Sequence, residues 1–270
     1  MEITTPDWET IAQLAMTLAR DAGAELRCRF GRQLTMTLKS ALDPVTDADQ
    51  AAETLIREGI QRQFPNHSIQ GEEQGETVGT APLRWIIDPL DGTVNYAHGM
   101  PHFAVSIAVA DDHGVQCGVV YDPMREELFS ARRGQPTYLN GGRVAVSNTS
   151  VLQHALLATG FPYNRQQNPD NNHREFVALN LRTQGVRRAG SAALDLAYVA
   201  SGRFDGYWEQ YLGSWDVAAG ALLVTCAGGT VSTYAGTPHD GVGPQIVASN
   251  GPLHAVLLAE LSRVRGLPGF

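Results

Sequence analysis

The sequence predicts a mixed α+β or α/β fold, built as one body with two lobes. The first half strings together short apolar strands joined by turns of Asp, Asn, Gly and Pro, the pattern of a meandering, largely antiparallel sheet. The second half alternates strands with helices, which implies a second, smaller sheet. The chain has 270 residues, 43% of them apolar, enough to bury a sizeable core. We therefore expect a single domain over 1–270, with lobes of roughly 1–147 and 148–270 meeting at a weak seam near 147–153.

Thr5-Pro6-Asp7 reads as an N-cap with proline at the first helical position. Ile11, Leu14, Ala15, Leu18 and Ala22 then recur at helical spacing, and this helix should end near Gly31. Gln33 to Lys39 alternates like a short strand. Thr46-Asp47-Ala48-Asp49 opens a second helix that Pro65 stops after Phe64. Ile69 to Glu73 is a short strand ending in acids, and Gln74 to Pro82 a polar loop. Strands follow at Trp85 to Asp88, Phe103 to Ala110, Val115 to Tyr121 and Glu127 to Ala131, with a hairpin at Asn140-Gly141-Gly142. Beyond the seam, strands are expected at Leu156 to Thr159, Val186 to Arg188, Gly206 to Glu209, Thr230 to Tyr234 and Gln245 to Ala248. Helices are expected at Asn172 to Leu181, Ala192 to Ala200, Trp215 to Cys226 and Pro252 to Arg263.

The formal net charge of −8 argues against a general nucleic-acid surface, so direct nucleic-acid binding is not expected. The three cysteines, Cys28, Cys117 and Cys226, have no CxxC spacing, which disfavours both a disulfide framework and a cysteine zinc site. Residues 1–20 lack a basic n-region, and no stretch approaches the ~20 apolar residues a membrane span needs. A soluble, cytoplasmic protein is the expectation.

The most telling run is Trp85-Ile86-Ile87-Asp88-Pro89-Leu90-Asp91-Gly92-Thr93-Val94-Asn95. An apolar strand ends in two carboxylates around a stiff turn, followed by Gly-Thr. Such carboxylates suit hard divalent cations, and N–H groups at the start of a helical turn suit a phosphate. Glu72, Asp216 and Asp49 also sit at element ends. Singly, each acid has an ordinary explanation as a cap, a turn residue or a helix-dipole partner. Jointly, carboxylates converging on one crevice repel unless cations intervene. With oxygen-only donors and no Cys or His at ligand spacing, Mg²⁺ suits them better than Zn²⁺. An acidic protein that binds an anionic ester also needs such local positive charge.

These residues resemble the inositol monophosphatase family in its bacterial branch. The likeness covers Val45 to Asp49, Gly71-Glu72-Glu73, Trp85 to Tyr96, Trp215-Asp216-Val217-Ala218-Ala219-Gly220 and Gly228-Gly229, in order, over about residues 39 to 250. It implies a layered αβαβα sandwich of the sugar-phosphatase type in a single catalytic domain. It implies a phosphomonoesterase using two or three Mg²⁺ ions and water, with no phosphoenzyme. Glu72, Asp88 and the Leu90 carbonyl would hold the first ion; Asp88, Asp91 and Asp216 the second; a third would sit near Glu72. Thr93 with Asp49 would polarise the attacking water, and the Gly92 and Thr93 N–H groups would face the phosphate. Gly190-Ser191-Ala192 and Glu209 would contact the substrate's hydroxyls, alongside Asp91 and Asp216. The resemblance also implies a homodimer and lithium sensitivity.

The substrate implied is a small phosphate ester of a polyol, myo-inositol 1-phosphate first. Histidinol phosphate, fructose 1,6-bisphosphate, NADP or 3′-phosphoadenylate are the related alternatives. A non-enzymatic role with RNA-processing or transcription partners is the reading from another class. Asp47-Ala48-Asp49 is set aside as a covalent nucleophile loop, because no hydrophobic strand leads into it. Arg187-Arg188 lies near the expected crevice, and Lys39 is a candidate phosphate neighbour.

Overall fold

A computed structural model describes residues 7–32, 36–40 and 43–266. Thr5 and Pro6 lie outside these residues, as does the Lys39 side chain. The first helix, α1 (Trp8–Arg29), is capped by Asp7, whose carboxylate accepts from the Glu9 and Thr10 N–H groups. A β-hairpin of β1 (Met36–Ser40) and β2 (Asp43–Thr46) leads into α2 (Asp47–Gln63). Thr46 and Asp49 form the capping box that starts α2.

The large sheet contains β3 (Ser68–Gly71), β4 (Gly75–Thr77), β5 (Arg84–Asp91), β6 (Ala104–Asp111), β7 (Gly114–Asp122), β8 (Glu127–Arg132), β9 (Thr137–Leu139) and β10 (Gly142–Val144). Its spatial order is β10-β9-β8-β7-β6-β5-β3-β4. All its pairings are antiparallel except β3 with β5. Between β5 and β6 lies the short α3 (Thr93–Ala97). The expected polar loop after Glu73 contains β4, which folds back on β3 as a hairpin. Its side chains are exposed, so no apolar alternation marks it.

The second sheet contains β11 (Leu156–Thr159), β12 (Gly185–Arg187), β13 (Gly206–Gln210), β14 (Thr230–Ser232) and β15 (Gln245–Ser249), in the order β12-β11-β13-β15-β14. Helices α4 (His173–Asn180), α5 (Ala192–Ala200), α6 (Ser214–Cys226) and α7 (His254–Arg265) complete the chain. α7 starts at His254, two residues later than the Pro252 expected.

The strands' alternation explains the layering. On β5, Ile87 and Trp85 join α1 and α2 in one core, while Ile86 faces α5 and α6 in another. Tyr207 and Ala248 of the second sheet close the far side of that central layer, and Trp208 and Val247 turn the other way onto α4 and α7. The result is the αβαβα sandwich. α5 and α6 are buried nearly all round because a sheet covers each side of their layer, which is why both read as continuous apolar runs.

Candidate active site

The parallel pairing of β3 with β5 brings the chain after Gly71 beside Asp88, so Glu72 emerges at the same end of the sheet. Asp88 and Asp91 are three positions apart, which in a regular strand would put them on opposite faces. The β5–β6 register slips between them: Asp88 faces Ser106 and Asp91 faces Ala104. This one-residue bulge at Pro89-Leu90 returns both carboxylates to one side. The sequence suggested a strand ending at Asp88; the bulge carries it to Asp91. Asp216 arrives from the first turn of α6, where its Oδ2 accepts the Gly213 N–H at 2.6 Å.

Carboxylate oxygens of Asp88, Asp91 and Asp216 lie within 4.8 Å of one another. Asp88 is pushed well above the usual carboxylate range, first by burial and then by the charges of Glu72, Asp91 and Asp216. Burial, Asp91 and Glu72 raise Asp216 in the same way. Such crowding costs free energy in the bare protein and is relieved by divalent cations, so the donor set fits them.

Each acid is aimed by bonds of its own. Asp88 Oδ1 accepts the Leu90 N–H at 3.0 Å. Asp91 Oδ2 accepts the Ser191 hydroxyl at 2.6 Å and the Ala193 N–H at 2.7 Å. Ser191, expected to meet substrate, spends its proton on Asp91 and caps α5 by accepting the Leu194 N–H at 3.3 Å. Gly92 starts α3, so its N–H and that of Thr93 lie at the beginning of a helical turn. Thr93 Oγ1 is 3.0 Å from Asp49 Oδ1 and 3.0 Å from the Leu90 carbonyl. Asp49 Oδ2 also closes the capping box with Thr46, so one carboxylate caps α2 and accepts from Thr93. Burial pushes Asp49 up to about 6 against the hydrogen bonds from Thr46 and Thr93.

Asp91, Gly190, Ser191, Ala192, Glu209 and Asp216 line one cleft together with Arg188. Asn95 ties this cleft to the first sheet by donating to the Ala189 and His102 carbonyls at 2.9 and 2.8 Å. Glu209 accepts the Tyr207 hydroxyl at 2.5 Å. Burial lifts it to about 7, although that bond and the Arg188 charge pull the other way. At Gly160 a Cβ would stand 2.1 Å from both Glu209 carboxylate oxygens, so only glycine leaves room for the acid.

Asp195 was not singled out from sequence, yet it lines the same cleft, 1% exposed, with Oδ1 lacking a hydrogen-bond partner. Its signal was available: a lone acid in the apolar run Ala192 to Ala200. Cys28, Cys117 and Cys226 are free thiols; Cys117 is buried, whereas Cys28 is exposed.

Comparison with known proteins is decisive at the family level. The family model described as the inositol monophosphatase family matches residues 7–265. The chain belongs to the inositol monophosphatase family. Among relatives, it is 45% identical over 261 residues to the Nus factor SuhB of Pseudomonas aeruginosa, covering 94% of this chain and 96% of that protein. It is 44% identical over 259 residues to the inositol-1-monophosphatase of Synechocystis, covering 95% and 90%. The solved structure of the inositol monophosphatase from Anabaena superposes with a TM-score of 0.87 at 44% identity, covering 96% of this chain and 97% of that one. Membership in the inositol monophosphatase family supports a phosphatase, one that acts on a phosphate ester. Among the described residues, no helix is long and apolar enough to cross a membrane.

Proposed function

We propose that this inositol monophosphatase family member is a Mg²⁺-dependent phosphomonoesterase acting on a polyol phosphate, with myo-inositol 1-phosphate the first substrate. The convergence of Asp88, Asp91 and Asp216 within 4.8 Å carries the reading. These three, with Glu72 and the Leu90 carbonyl, would hold two or three Mg²⁺ ions. Bound Mg²⁺ supplies charge neutralisation for the phosphoryl group and acidifies a water.

The chain's own groups do the rest. The Thr93 hydroxyl has one hydrogen and two lone pairs. When it donates to Asp49, a lone pair is free to accept a hydrogen from the attacking water and orient it. Asp49 stabilises that arrangement as the charged acceptor at the end of the relay. The Gly92 and Thr93 N–H groups face the phosphate oxygens. Glu209 and the Gly190 to Ala192 segment meet the ring hydroxyls, where a carboxylate accepts from a vicinal diol. Water attacks phosphorus directly as the ester P–O bond breaks. The polyol oxygen leaves and gains a proton from solvent while the attacking water loses one, so inorganic phosphate and polyol are the products and no phosphoenzyme forms. A cytoplasmic, lithium-sensitive homodimer goes with this reading.

The test is phosphate release from a panel comprising myo-inositol 1-phosphate, histidinol phosphate, fructose 1,6-bisphosphate, NADP and 3′-phosphoadenylate, with Mg²⁺ and with added Li⁺. The inositol ester should rank first in kcat/KM. Loss of that rank to histidinol phosphate removes the substrate assignment, and silence across the panel removes the enzyme.

A second reading has one observation in its favour: a relative at 45% identity carries the name Nus factor SuhB. On that reading the protein binds partners in transcription or RNA processing. Asp88→Asn separates the two. If the variant loses phosphatase activity while the phenotype of a deletion strain is still complemented, the binding role is the one the cell uses.

A further inference from the structure

Helix α2 carries a buried ion pair that touches nothing in the cleft directly. Glu53 is 0% exposed and Arg57 6%. Arg57 Nε donates to Glu53 Oε1 at 2.7 Å, one helical turn away. Among the described residues, the pair's other side-chain hydrogen bonds go to one segment. Glu53 Oε2 accepts the Glu73 N–H at 2.8 Å, and Glu53 Oε1 accepts the Gln74 N–H at 3.1 Å. Arg57 Nη1 donates to Thr77 Oγ1 at 3.1 Å, and Nη2 donates to the Gly75 carbonyl.

The segment held is the turn that follows Glu72. On its other side, Gly71 presses against the same pair: a Cβ there would stand 2.0 Å from Glu53 Oε1 and 2.7 Å from Arg57 Nη2. Glu72 is therefore fixed from both neighbours, and its own N–H is bound to the Ile87 carbonyl at 3.2 Å.

A buried ion pair is a poor device for stability alone, because desolvation offsets its attraction and apolar residues of like volume serve as well. It is a good device for fixing a backbone whose amides and carbonyls need charged partners. We propose that Glu53 and Arg57 are positioning residues of the metal site, holding the backbone on either side of Glu72 so that its carboxylate joins Asp88. The proposal rests on reading Glu72 as a metal-facing acid. It also makes α2 a shared strut, since Asp49 stands one turn before Glu53 on the same helix.

The experiment is calorimetric titration of the full chain with Mg²⁺ alone, alongside thermal denaturation and steady-state kinetics. Glu53→Gln keeps the shape and weakens the clamp. Its Mg²⁺ Kd should rise about 10- to 100-fold, as for other groups that orient metal ligands. The Mg²⁺ concentration giving half-maximal activity should rise in step. At saturating Mg²⁺, kcat should return most of the way and the KM for myo-inositol 1-phosphate should stay within about twofold, since the clamp touches no substrate. Should Glu53→Gln fail to fold, Arg57→Lys and the surface change Thr77→Val take its place, each expected to weaken Mg²⁺ by about threefold or more. A lowered melting temperature with an unchanged Mg²⁺ Kd overturns the clamp and leaves the proposed function standing. Wild-type protein that binds no Mg²⁺ overturns both.

Discussion

Thr93 Oγ1 lies 3.0 Å from Asp49 Oδ1, across 44 residues of chain. The contact joins the strand-end motif to the first turn of α2, where Asp49 is already fixed by two bonds from Thr46. A carboxylate held this way has little freedom to do anything except accept from Thr93.

The relay predicts a hierarchy of variants. Thr93→Val keeps the volume but removes the hydroxyl, and kcat should fall about 10²- to 10⁴-fold, the range for losing a positioned proton-transfer group. Thr93→Ser keeps the hydroxyl and should stay within about tenfold of wild type. Asp49→Asn keeps an acceptor for the Thr46 N–H, so α2 should fold normally while kcat falls as for Thr93→Val. Phosphate release at saturating Mg²⁺ reads all three, and a Thr93→Val enzyme with full kcat removes Thr93 from the mechanism.

Ser191 lines the cleft and is also held by bonds of its own. Its hydroxyl donates to Asp91 and accepts from the Leu194 N–H. Ser191→Ala should then cost about 1 kcal/mol of stability through the lost helix cap. It should also weaken Mg²⁺ binding about 10- to 100-fold through the released Asp91. Ser191→Thr should restore both. If Ser191→Ala instead raises only the KM for substrate, with Mg²⁺ affinity intact, Ser191 acts through substrate contact alone and does not position Asp91.

Much of the fold was legible because its signals are local: strand alternation, Asp and Gly turns, the Thr46 to Asp49 cap. β4 was not, because a short exposed edge strand has no apolar face to betray it. The β5 bulge was not, because register is set by the pairing with β6 rather than by β5 itself. The convergence of Asp88, Asp91 and Asp216 was legible because several carboxylates at element ends are hard to satisfy without cations. The Glu53–Arg57 pair was hidden for the opposite reason: at helical spacing the two look like an ordinary surface pair until burial is known. Asp195 did carry a signal, as a lone acid in an apolar helix. Asn95 stood inside the quoted motif, yet its partners Ala189 and His102 become neighbours only through tertiary structure.

Gly160 and Glu209 give a specificity test. A methyl at position 160 would collide with both Glu209 carboxylate oxygens at 2.1 Å. Gly160→Ala should swing the acid away from the cleft and raise the KM for myo-inositol 1-phosphate about tenfold, the scale of one charge-assisted hydrogen bond. Effects on kcat should be smaller, because the Asp88, Asp91 and Asp216 cluster is untouched. Steady-state kinetics on the inositol ester and on a simple aryl phosphate decide it: equal losses on both substrates rule out a role in reading ring hydroxyls.

Burial of acids also sets a pH dependence in the metal-free protein. Glu209 titrates at about 7 in the fold, raised by burial above its usual 4.5. The unfolded chain therefore releases this proton first as pH rises. Between pH 4.5 and about 7 the folded state binds more protons than the unfolded one, so this group's contribution to stability falls with increasing pH. Below that window the group is neutral in both states and costs nothing. Asp49, raised to about 6, acts with the same sign over a lower and narrower window. Glu209→Gln removes the titration while keeping an acceptor for the Tyr207 hydroxyl. Melting curves in EDTA, taken every half unit from pH 4 to 8, should show the variant gaining on wild type through this window and holding its advantage above it. A constant offset between the two curves would mean that Glu209 is solvated and ordinary in the fold. Adding Mg²⁺ should flatten the fall of the wild-type curve, because the cation takes over the work of the protons on the neighbouring acids.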